Sequence, residues 1–387
     1  MRATPPSATP IDPVPHVQGR PDWWWLRLAA LAVAPVALIT GLAGGLWRLG
    51  WDVPDGARLA ALHGPLMISG LFGTVIGLER AVAFGKGFAY TAPILSGLGT
   101  LALLAGAPPW FGATFYLAAA GFLAIVSGLI VRVQPAVFTV VLLLGALSWG
   151  IGSALWLAGE AIPAVVGWWL AFLVLTIGGE RLEMSRLLPP RRGSQVLFVI
   201  SVALIGAGAC IGFADDTGGR IYGLGLLACT IWLLRHDIAR RNIRMKGAPR
   251  YFAICMLAGY AWLGISGGLM VVLPSSTAAF RYDMVLHAVL IGFVLSMVFG
   301  HALIILPAVI RLRIGYSPLL YVPLAILHGS LAMRMAGGLG EWSLSRQWSG
   351  IATALAIVTF AAALIRGAAA SRRNIGGEQA AARKPVP

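Results

Sequence analysis

Apolar stretches of about 20 residues recur twelve times along this chain, each long enough to cross a bilayer as a helix. They fall roughly at 25–46, 59–80, 88–107, 110–131, 136–158, 161–182, 194–213, 220–236, 251–273, 284–307, 317–337 and 347–367. Hydrocarbon leaves no water for an unpaired backbone group, so each stretch must satisfy its own amides as a helix. With 58% hydrophobic and 11% charged residues among 387, little sequence remains for an extramembrane domain. The expected fold is all-α, a polytopic membrane protein with about 12 transmembrane helices. Its expected parts are a Pro-rich cytoplasmic tail (1–23), a membrane domain (24–368) and a disordered cytoplasmic tail (369–387). Helix 1 opens on Trp23-Trp24-Trp25, an interfacial anchor, and is read as retained, not as a cleaved signal. Cys210, Cys229 and Cys255 form no CxxC pair and read as apolar filler.

The net charge of +15 follows topology. If helix ends alternate, all but six of the 29 Lys and Arg fall on one side, the densest run being Arg235 to Arg250. The six are Arg48, Arg58, Arg220, Arg281, Arg334 and Arg346. By the positive-inside rule both termini are then cytoplasmic. The lipid bilayer is the expected partner and nucleic acid is not.

A repeat is visible. Helix 2 ends Ile76-Gly77-Leu78-Glu79-Arg80, and helix 6 ends Ile177-Gly178-Gly179-Glu180-Arg181. Helix 10 starts Leu286-His287, as helix 2 starts Leu62-His63. Helices four apart point to three four-helix units, with chance similarity as the competing explanation.

Four of the six histidines, His63, His287, His301 and His328, lie inside apolar helices. An ionisable side chain at that depth is costly and by default marks function. A lone transmembrane histidine is more often a hydrogen-bonded packing residue. Here His63, His287 and His328 fall at similar depth near the outer side, which favours a cofactor. Two neutral imidazoles facing each other would hold haem of b type, with His328 as a second-site or distal ligand. Arg58, Arg281 and Arg334 each lie outward of a histidine by roughly 8–9 Å along the helix and suit haem propionates, or serve as interfacial anchors. Gly70, Gly73 and Gly77 on helix 2, with Gly292, Ser296 and Gly300 on helix 10, would let helices approach the flat ring. His301 follows His287 by 14 residues, on a shared face within about 40° and roughly 21 Å further along. It is either a second metal site or a structural hydrogen bond. Met67, Met333 and Met335 near the histidines would suit Cu(I), though core packing is the simpler reading.

Glu79, Arg80, Glu180, Arg181 and Glu183 cluster at the cytoplasmic ends of helices 2 and 6, as inter-helix ion pairs or a proton entry point. His16 and His236 read as solvated. No phosphate loop or HExxH occurs, and the one GxSxG match, Gly264-Ile265-Ser266-Gly267-Gly268, lies inside an apolar helical stretch and not on a strand-to-helix turn, so nothing supports nucleotide hydrolysis, serine hydrolysis or zinc proteolysis. Two rival classes remain: a proton-coupled small-molecule transporter, and a non-catalytic assembly subunit of a respiratory complex.

At helices 2, 10 and 11 the chain resembles the NnrS family, twelve-helix bacterial membrane proteins distantly related to haem–copper oxidase subunit I. The residues that carry this are His63-Gly64-Pro65-Leu66-Met67 and His287-Ala288-Val289-Leu290-Ile291-Gly292-Phe293, extended by Met297, His301 and Pro307. The resemblance implies the threefold four-helix arrangement, bound haem and copper, and haem ligands at His63 and His287. It also implies a role in nitric oxide or denitrification-linked redox chemistry, with a periplasmic or membrane electron-transfer partner. The adjacent histidines and histidine–tyrosine pair of an oxidase copper centre are absent, so oxygen reduction is not expected.

Overall fold

The structure, a computed structural model, describes residues 23–186, 193–274, 280–310 and 314–382. The expected 1–23 tail, including His16, lies outside the described residues but for Trp23, as do residues 383–387. Among the described residues twelve membrane-length helices are present: α1 (Trp24–Arg48), α2 (Gly56–Phe84), α3 (Gly87–Leu104), α4 (Pro109–Val133), α5 (Val137–Leu157) and α6 (Ile162–Ser185). They continue with α7 (Ser194–Ile211), α8 (Asp216–His236), α9 (Ala248–Val272), α10 (Arg281–Val309), α11 (Pro318–Leu339) and α12 (Ser343–Ser371). The backbone of α12 runs on as helix to Ala382, past residue 369 where the sequence reading begins a disordered tail. No strand occurs among the described residues.

Local chemistry sets the ends. Gly85 takes a left-handed conformation (φ 74°) and its N–H closes α2 onto the Ala81 carbonyl. Asp215 caps α8, its Oδ1 accepting from the N–H groups of Thr217 and Gly218. Prolines at 109 and 163 start α4 and α6, where a missing N–H costs nothing.

Three helices occupy the centre. In their most apolar windows 67% of α2, 72% of α6 and 61% of α10 is buried, against at most 56% elsewhere. These are the helices that the repeated segments single out. α10 packs on both α2 and α6, and Arg80 of α2 pairs with Glu180 of α6. The chain then closes on itself, α1 touching α10 and α12 as well as α2. Close approach of α1 to α2 depends on Gly44, where a side chain would meet the Leu59 carbonyl.

Two of the central helices are widened immediately after a histidine. α2 is a π-helix over Leu66–Gly73 and α10 over Ala288–Leu295. In α2 the cause is local. Pro65 lacks the N–H for the preceding turn and its ring crowds the carbonyl four residues back. Neighbouring side chains take up the loosened backbone: Ser96 of α3 donates to the Ser69 carbonyl at 2.7 Å, and Trp149 of α5 donates to Ser69 Oγ at 2.9 Å. In α10 the one proline, Pro307, lies beyond the widened turns, and Ser266 of α9 donates to the Val285 carbonyl at 2.8 Å, just before them.

Candidate cofactor site

The widened segments leave His63 and His287 at matching heights on facing helices. Their ring centres are 6.3 Å apart and their planes lie within 25° of parallel. Each ring is held by one nitrogen. His63 Nδ1–H donates to the Gly41 carbonyl of α1 at 2.6 Å. His287 Nδ1 faces its own helix, 2.8 Å from the Asp283 carbonyl and 3.1 Å from the Asp283 carboxylate. Among the described residues neither Nε2 atom has a protein hydrogen-bond partner. Fixing one imidazole nitrogen on a carbonyl or carboxylate is how metal-binding histidines are oriented. Gly45 makes room for the His63 ring, since a side chain there would come within 2.9 Å of it.

Both histidines line one cavity of about 390 Å³. α1, α2, α6, α10, α11 and α12 all contribute, and Met67, Ile68, Leu290 and Ile357 make its apolar wall. Its cations are Arg48, Arg334 and Arg346, and its carboxylate is Asp283. Arg334 grips Asp283 with two hydrogen bonds, Nη2 to Oδ1 at 2.6 Å and Nε to Oδ2 at 3.0 Å. Arg346 lies over the Phe280 ring and reaches Asp283 at 3.5 Å. Arg48 is steadied by its Nε–H on the Ala60 carbonyl at 3.0 Å. Three guanidiniums against one carboxylate leave an excess of two positive charges.

Of the expected site residues, the structure brings His63, His287 and Arg334 together and places the others elsewhere. Arg58 pairs with Asp55 and donates to the carbonyls of Leu103 and Leu104, at the rim of α3. Arg281 is buried against α8 and α9, donating to the Met270 carbonyl at 3.1 Å and lying 4.0 Å from Asp216. The reason is angular. Five or six residues along a helix is about 120–140° around it, so an arginine stacked outward of a histidine points another way. The same offset sends Arg334 into the cavity while His328 stays out. His328 Nδ1 accepts from Trp262 Nε1–H at 2.9 Å, and its Nε2 faces Ser296 Oγ at 3.5 Å.

His301 does not share the surroundings of His287. Its Nδ1–H donates to the Met297 carbonyl at 2.7 Å, and its Nε2 accepts from Arg181 of α6 at 2.9 Å, beside Phe252 of α9. The widened turns between the two histidines break the regular 100° count that placed them on one face. Both ring nitrogens of His301, like those of His328, are engaged within the protein. The expected glycines also serve other contacts: Gly70 faces Thr100 and Tyr116, Gly73 faces Trp149, Gly77 faces Pro93, and Gly292 faces Trp262. The small residues lining the cavity are Gly45, Gly64 and Gly350. Arg48 and Arg346, absent from the expected set, belong to the six outer-side cations, and that short roll was the signal for them.

A half-buried, oriented histidine pair inside twelve helices defines a polytopic all-α membrane protein with a cavity at one end of its central trio. The chain belongs to the family described as Domain of unknown function (DUF8744), which matches residues 27–369. No curated protein and no solved structure matches it.

Proposed function

We propose that this is a membrane haem protein in which His63 and His287 hold one b-type haem. The observation that carries the reading is the pair's geometry. With ring centres 6.3 Å apart, both imidazoles would reach one metal ion held between them. The remaining features fit the group. Each Nδ1 is already spent on orientation, the wall is apolar, and the excess of two positive charges matches two propionates. Arg48, Arg334 and Arg346 would hold those propionates.

A haem held there by His63 and His287 would supply one-electron exchange. The residues of this chain would set how easily: Asp283 and the arginines fix the local charge, and the apolar wall excludes water. Among the described residues no group of three or more His, Cys, Asp or Glu converges to hold an ion, so the proposal is confined to haem. A role in nitric oxide or denitrification-linked redox chemistry, with an electron-transfer partner, rests on the resemblance at His63 and His287 alone.

The test is a visible spectrum of purified protein, oxidised and dithionite-reduced, with iron content. A sharp reduced α-band and one iron per chain are expected, lost in His63→Ala and in His287→Ala and retained in His328→Ala. A colourless, well-folded protein would overturn the reading in favour of a transporter.

A further inference from the structure

At the opposite end of the bundle a second cavity, of about 1340 Å³, opens among the ends of α5, α6, α7 and α8. Five arginines line it: Arg186, Arg235, Arg240, Arg241 and Arg244. Among the described residues its one carboxylate is Asp237, 2% exposed and turned inward, Oδ1 accepting from the Ala239 N–H at 2.7 Å. Burial also pushes that carboxyl above its ordinary range, which weakens it as a counter-ion. None of the five arginines forms an ion pair among the described residues.

Topology requires basic residues on one side of a membrane, but it does not require five of them around one cavity. The first turn of α7 (Ser194, Gln195, Val196) forms part of the same wall, and among the described residues no side chain caps it. Its free N–H groups and the helix dipole favour an anion there. Trp232 fixes this turn by donating to Ser194 Oγ at 3.0 Å. Apolar side chains complete the wall, including Val137, Phe138 and Leu182. Guanidiniums beside an apolar wall at the end of membrane helices match a charged headgroup with acyl chains below it.

We infer that this cavity binds a phosphate-bearing anion at the membrane boundary, the headgroup of an anionic phospholipid being the best match. The test uses full-length, delipidated protein and native mass spectrometry, with phosphatidylglycerol, phosphatidylcholine or pyrophosphate added back. Phosphatidylglycerol should be retained and phosphatidylcholine should not. Arg240→Gln/Arg241→Gln should weaken retention by about tenfold, while Arg132→Gln/Arg366→Gln, on the same side but outside the cavity, should leave it unchanged. If the glutamine variant does not fold, Arg240→Lys/Arg241→Lys keeps the charge, loses the bidentate grip and should still weaken retention. Binding of pyrophosphate with the same sensitivity, and no lipid selectivity, would keep the site and identify a soluble phosphate as its ligand. Equal retention of both lipids without pyrophosphate binding, or a cavity variant matching the control, would overturn it.

Discussion

Asp283 meets three cationic or polar partners where α10 begins: Arg334 in a two-pronged grip, Arg346 more loosely, and the ring N–H of His287. Removing its charge leaves Arg334 buried without a counter-ion, at a cost of about 3 kcal/mol. Asp283→Asn should therefore lower thermal stability. It should also raise the midpoint potential of the proposed haem, because losing a negative charge favours the less positive reduced iron. A redox titration showing no rise would separate Asp283 from the cofactor. Asp237 predicts a pH effect of opposite sense to an ordinary ion pair. Its folded-state pKa is raised by burial, so the folded protein holds the proton more tightly than the unfolded chain. Stability should then fall as pH rises from the ordinary aspartate value through the raised one. Asp237→Asn, which keeps the acceptor for the Ala239 N–H, should remove that slope in thermal melts across the acid range. The histidines were legible because ionisable groups stand out in apolar helices. The arginines were only partly so: depth can be counted along one helix, whereas direction depends on neighbours far away in the chain.

Helix existence was the most legible property of the elements, since length and hydropathy decide it, and the twelve expected spans lie within a few residues of those observed. The repeated segments also marked α2, α6 and α10, the three most buried helices. The widened turns were not legible. Pro65 marks the first, but Ala288–Leu295 is a run of apolar residues and glycine with no local sign of a π-helix. One such segment re-aims everything beyond it, and so His301 faces Arg181 and Phe252. The contact between α1 and the His63 ring is testable through Gly45. Gly45→Ala adds a methyl within 2.9 Å of the imidazole and should shift the spectrum or lower the occupancy of the proposed haem. Gly268→Ala, where an added methyl meets nothing within 4 Å, should leave the spectrum unchanged. Identical spectra for the two variants would show that Gly45 does not position the ligand.

For the molecule as a whole, the uneven distribution of arginine and lysine predicts cytoplasmic termini. Fusions of a fluorescent protein to the C-terminus should be bright, and alkaline phosphatase fusions there should be inactive. The reverse pattern would place the histidine cavity on the cytoplasmic side. Which helices touch was beyond the sequence, because contacts between α1 and α12 join segments separated by nearly the whole chain. That closure orders the events of biosynthesis. α1 and α2 enter the membrane while the ribosome still has most of the chain to make, and Arg48 and His63 must wait for Arg334, Arg346 and His287. The waiting half-site exposes a guanidinium and an imidazole to lipid or to the insertion machinery until α10 to α12 arrive. Synthesis paused before α10 therefore leaves an intermediate with its cavity open on one side, the form most exposed to quality-control proteolysis.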